Sequence, residues 1–184
     1  MPTRTLVAVP AVVWLFAVIG MTSRSYALAL IAFLSTALAL MQIIYTSNLL
    51  QAAHQFARIH DQALAAQISD RIVEAHPDFD PRKTYAVDFF GAHPFVTSYP
   101  RPPSSTSGFS FFEWDGGNEE RILDYMGLIG YANLRTPSFD QRRRDLSEFQ
   151  QMSEWPSRDS VRIVGDVTLV KLGPARGFLP FTVP

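Results

Sequence analysis

Two uncharged stretches open the chain, Thr5 to Ser23 and Ser25 to Ala57, with Arg24 alone between them. About 20 apolar residues in a helix span the hydrocarbon core of a bilayer. "LVAVPAVVWLFAVIGM" sits at the short end of that range and "YALALIAFLSTALALMQIIY" fills it, so the pattern predicts a transmembrane helical hairpin over 1–45. Pro10 is compatible with a membrane helix, where neighbouring groups re-satisfy the freed carbonyl. Tyr26 and Tyr45 bracket the second span as interfacial aromatics do. Residues 1–27 also admit a second reading, as a signal peptide cut near "SYA". A single Arg ahead of the apolar run and a second long span immediately after it favour the hairpin.

The helical pattern does not stop at Tyr45. Residues 46–76 hold neither Gly nor Pro, and Leu64, Ile68 and Ile72 recur at helical spacing, so one helix is expected to leave the bilayer and end before Pro77. "HPDFDPRK" then reads as a turn and "TYAVDFF" as a strand closed by Gly91. From His93 to Gly108 four prolines and a Ser/Thr cluster predict a long irregular loop, a kind that is often functional. "EERILDYMGLIGY" predicts a helix with Ile122, Tyr125, Met126 and Ile129 on its apolar face and Gly130 as terminator. Residues 138–152 predict a polar helix with Leu146 and Phe149 facing inward. "VRIV", Gly165-Asp166 and "VTLVKL" form a hairpin around a two-residue turn. The fold class expected is a membrane protein, with a two-helix hairpin over 1–45, an emerging helix over 46–76 and a small α/β (α+β) domain over 77–184.

Composition narrows the function classes. The 184 residues carry a net charge of −1 and no Cys. Near-neutral charge gives no reason to expect nucleic acid, whose binders show a basic face, and without Cys neither disulfides nor thiolate metal sites can form. Arg24 in the short loop places that loop in the cytoplasm by the positive-inside tendency and sends the domain outside; Arg4 argues the other way.

The densest candidate chemistry is "SFFEWDGGNEER", residues 110–121. Asn118 is a good helix N-cap, Glu119 and Glu120 suit the first turn, and the two glycines permit unusual backbone angles, which is architecture without any ligand. Phe111, Phe112 and Trp114 beside Glu113 and Asp115 have the composition of a sugar platform, with flat rings for the carbohydrate face and carboxylates for its hydroxyls. Core packing of the same aromatics is the competing reading. Strand-like alternation would bury Phe112 and Trp114 on one side and turn Phe111, Glu113 and Asp115 to the other. His54, Arg58 and Asp61 share a helical face, with His60 adjacent, but a metal site would need a further ligand that the spacing does not supply. Asp78, Asp80 and Asp88 form a possible acidic cluster with Arg82 or Lys83, although turn chemistry accounts for the first two. Arg142 to Arg144 reads as a solvated face, or alternatively as a basic patch for phosphate. No phosphate loop, nucleophile elbow or paired-His helix motif occurs.

"SFFEWDGGNEERI", with "QISDRIVEAHPDF" and "YAVDFFG" upstream and "EWPSRDSVRIVGDVTLVKLG" downstream, resembles the C-terminal region of the polytopic bacterial O-antigen glucosyltransferases, the serotype-converting type that uses a polyprenyl-phosphate sugar donor. The resemblance covers nearly the whole chain. It implies a multi-pass inner-membrane enzyme with a periplasmic domain, acting on lipid-linked glucose and O-antigen glycan. Glu113, Trp114, Asp115, Gly116, Gly117, Asn118 and Arg121 are then the substrate-binding set, with membrane lipid as a further partner and neither cofactor nor metal. Such enzymes are long and carry many spans, with the acidic residues expected to do chemistry in loops of their N-terminal half. This chain, with two spans, resembles their C-terminal part or a truncated relative and is expected to be inactive alone. A membrane-tethered interaction module without catalysis is the alternative.

Overall fold

The computed structural model describes residues 4–99 and 108–174, with side chains from residue 11 onward. The proline-rich stretch 100–107, part of the loop expected over 93–108, lies outside them.

Helix α1 runs Arg4–Thr22 and α2 runs Tyr26–Ala75. At a rise of 1.5 Å per residue, the 50 residues of α2 make a helix of about 75 Å. Its N-terminal half is long and apolar enough to cross a membrane, and almost none of that window is buried inside the structure. Leu28, Ile31, Phe33, Leu34, Leu38 and Met41 are all exposed, as in a helix whose solvent is lipid rather than water. The apolar run described in α1, Ala11–Thr22, is shorter.

The chain divides into two compact units, Met1–Gln55 with Tyr99–Gly108, and Phe56–Ser98 with Phe109–Pro184. In the first, Gly20 leaves room for the Ala32 methyl between α1 and α2.

The second unit is a small mixed α/β domain on a four-stranded sheet. Its elements are β1 (Tyr85–Phe90), α3 (Glu119–Leu128), β2 (Leu134–Arg135), α4 (Phe139–Gln151), β3 (Val161–Val164) and β4 (Val167–Lys171). The strand order is β2-β1-β4-β3, with β1 parallel to both neighbours and β3–β4 the expected hairpin. The central strands are covered on both faces, so β1 and β4 read as near-continuous apolar runs. Val87, Phe89, Val170 and Leu172 pack with Leu64, Ile68 and Ile72 of α2 and Ile122, Tyr125 and Met126 of α3. On the opposite face Ala86, Val167 and Leu169 pack with Phe149 of α4 and Met152 just after it. The helix termini follow their sequence signals: the Asn118 side chain accepts from the Arg121 amide, and Ser138 and Gln141 form a capping box.

Two local features depart from expectation. Leu146 is 41 % exposed, because the buried face of α4 is carried by Arg142, Asp145 and Phe149, and Leu146 falls outside that stripe. The short strand β2 has no counterpart among the elements expected from the sequence.

Candidate functional site

Residues 110–121 do not form a strand end. The chain turns through 111–113 into a single 3₁₀ turn, Trp114–Gly116, then a bend at Gly117, before α3 begins. The alternation expected for a strand therefore fails: Phe112 is fully buried, but Trp114 is only half-buried, its edge against Phe111 and its face under the Arg121 guanidinium, 4.3 Å from ring centre. Asp115 is exposed, pairs with Arg121 at 3.0 Å and sits at φ 51°, the left-handed region that non-glycine residues seldom adopt. The aromatic face expected for a sugar is thus occupied by a cation of the chain itself.

Gly117 answers to backbone rather than to ligand. It has φ 82°, and a Cβ there would overlap the Gly91 carbonyl; one on Gly91 would meet the Gly173 backbone, and one on Gly173 the Ala92 carbonyl. Three segments, the motif turn and the exits of β1 and β4, therefore interlock at the carboxyl ends of two parallel strands, the end of a parallel sheet at which α/β folds build their sites.

Beside that junction lies a cluster of titratable groups. Asp61 of α2 is 1 % exposed; one carboxylate oxygen accepts from Ser110 Oγ at 2.5 Å and the other from the Phe111 amide at 2.8 Å. Burial pushes the Asp61 carboxyl above its usual range, against the lowering effect of those bonds, with Glu113 adding to the rise. The His60 ring stacks on Phe95 at 4.6 Å and lies parallel to His93 at 5.9 Å, the interplanar angle being 5°. His93 donates its amide to the Phe112 carbonyl, and Glu113 accepts the Phe95 amide at 3.3 Å. Burial lowers both imidazoles below the ordinary histidine value; His60 lowers His93 further, and Glu113 opposes both shifts. Tyr125, stacked on Phe111, is pushed up to about 12 by burial and by Asp61, with Arg58 acting the other way.

The structure therefore splits the candidate residues. Glu113 joins the histidines; Trp114, Asp115 and Arg121 form a separate outer triad; Gly116, Gly117 and Asn118 serve the turn and the cap. His54 is not in the cluster that Asp61 joins; its Nδ1 accepts from the Gly108 amide. Among the described residues no group of three His, Asp or Glu is placed to hold a metal ion.

Two expectations about charge are corrected. Arg142 is buried rather than solvated, its Nε 3.2 Å from Asp88 and its other arm on Glu119, while Arg143 and Arg144 are exposed. Asp88 consequently pairs across the fold with Arg142 rather than with Arg82 or Lys83. His93 is the residue of the cluster that sequence reasoning missed, and its place two residues beyond a closing glycine was the available signal.

Compared with models of known families, with curated proteins and with solved structures, the chain matches none.

Proposed function

We propose that the chain is the C-terminal, membrane-anchored part of an inner-membrane glucosyltransferase of the O-antigen-modifying kind. In this reading α1 and α2 are a transmembrane hairpin and the α/β unit is periplasmic, where it holds lipid-linked glucose or the acceptor glycan. The observation that carries the reading is where the segments resembling those enzymes lie. Residues 67–79, 85–91, 110–122 and 154–173 supply Ile68, Ile72, Val87, Phe89, Phe112, Ile122, Trp155, Val170 and Leu172 to one core. That these segments pack in one core supports reading the resemblance as one to a folded unit. The triad of exposed Asp115 with half-buried Arg121 and Trp114 supports a sugar contact, since the guanidinium can yield the ring face while keeping its carboxylate partner.

One observation favours the alternative of a non-catalytic tethered module: the motif's cap, glycines and ion pair are already satisfied within the chain. Titration of the chain in lipid nanodiscs separates the two. The enzyme reading expects saturable binding of polyprenyl-phosphate glucose or of O-antigen oligosaccharide, weakened by Asp115→Asn at unchanged thermal stability. No saturable binding of either compound refutes it and leaves the tethered module.

A further inference from the structure

Three chain segments meet at one pair of imidazoles. His60 comes from α2, His93 and Phe95 from the segment leaving β1, and Glu113 from the motif turn. The ring of His60 is stacked on Phe95 and parallel to His93, and the Glu113 carboxylate accepts the Phe95 amide. No regular element holds residues 93–98, and Val96 is 88 % exposed; the His60 ring contacts tie the segment to the helix, while the Glu113 bond and the His93 amide on the Phe112 carbonyl tie it to the motif turn.

We propose that His60, His93, Phe95 and Glu113 form an acid-operated latch, which holds residues 93–98 against α2 at neutral pH and releases them when the imidazoles take up protons. His60 Nε2 is buried with no hydrogen-bond partner among the described residues, so a proton added there enters a half-buried, apolar stack. A second proton meets the first across parallel rings whose centres are 5.9 Å apart, and like charges so placed repel. Glu113 faces both histidines and favours the first proton, while Asp61 beside His60 is committed to Ser110 and Phe111. Tyr125 of α3 feels the Asp61 charge, with Arg58 of α2 opposing it.

Because both histidines are lowered, the closed form binds protons less readily than the open one. The latch is therefore secure above the ordinary histidine value of 6.5 and weakens as the pH falls below it. Sugar transfer plays no part in this device; any extracytoplasmic domain experiences ambient pH.

The test is amide hydrogen exchange on the full chain in nanodiscs at pH 7.5 and pH 5.0, with rates referred to intrinsic exchange at each pH. Amides of residues 95–98 should lose protection in acid, because the lowered histidines give the open form the higher proton affinity. Amides of β1 and β4 should not change. His60→Gln with His93→Gln should abolish the acid effect, and Glu113→Gln should move its midpoint to lower pH. Protection at 95–98 that is independent of pH in the wild type, or an acid effect that persists without both histidines, overturns the proposal. An NMR titration of the wild-type imidazoles guards against a misfolded variant: two histidines titrating at the ordinary value would also overturn it.

Discussion

Asp61 is the anchor of the motif turn, and replacing it measures how firmly that turn is held. Asp61→Ala removes a buried acceptor pair and leaves Ser110 Oγ and the Phe111 amide facing a void. Two charge-assisted bonds lost, partly offset by the desolvation that the carboxylate no longer suffers, amount to about 2–4 kcal/mol. For a domain of about a hundred residues that is a fall in Tm of roughly 8–16 °C. Asp61→Asn keeps both bonds, because its amide oxygen accepts the Phe111 N–H and its amide nitrogen donates to the serine hydroxyl. That variant should stay within about 1 kcal/mol of wild type at neutral pH. The pH dependence then separates charge from shape. The folded Asp61 carboxyl lies above its ordinary 3.8, so the folded state binds its proton more readily and gains stability as the pH falls through the raised value towards 3.8. The Asp61→Asn variant has no such gain, and the histidine contributions cancel when the two proteins are compared. Near-UV circular dichroism melts of the detergent-solubilised chain at pH 7.5, 5.5 and 4.5 should show wild type gaining on Asp61→Asn with acidification. The reasoning is refuted if Asp61→Ala melts within about 2 °C of wild type, or if the difference between wild type and Asp61→Asn runs the other way.

Arg142→Ala should cost about 3–5 kcal/mol, because Asp88 and Glu119 are left buried without their cation, and chemical denaturation followed by Trp fluorescence would register it. Gly117→Ala should abolish stable folding of the α/β unit, visible as loss of near-UV signal, since the added carbon meets backbone that has no side chain to move. Asn118→Ala should cost about 1 kcal/mol through the lost cap, read from the same denaturation curves. Trp114→Ala should cost less than the roughly 3–5 kcal/mol of a core aromatic, because its ring is only half-buried; a melt showing the full core penalty would contradict the outer position of this side chain.

What the sequence revealed was what is decided locally. The run from Tyr26 to Ala75, the cap at Asn118, the strand at 85–90 and the Gly165-Asp166 turn are all set by residues within a few positions of one another. Burial of charge is not. Asp61 is inside because Ser110 reaches it from 49 residues away, and Arg142 because Asp88 and Glu119 wait for it on two other elements. A charge run such as Arg142–Arg144 therefore looks uniformly solvated until the fold selects one member. The parallel pairing of β1 with β4 is equally non-local: "VTLVKL" announces a hairpin with β3, while its second partner lies some eighty residues earlier. Leu134–Arg135 is too short to show any period. At the candidate site, the composition of "FFEWDGG" suggested alternation, but Gly116 and Gly117 allow a tight turn that alternation cannot describe.

The glycine junction carries a mechanical consequence. Where side chains separate two segments, a small displacement of one can be absorbed by rotamer changes and lost within a few ångströms. Gly91, Gly117 and Gly173 offer no such compliance, since peptide groups bear directly on peptide groups. A push on the Trp114–Gly117 turn therefore bears on the chain leaving β1 at Gly91 and, through it, on the chain leaving β4 at Gly173, making the turn a lever rather than a cushion.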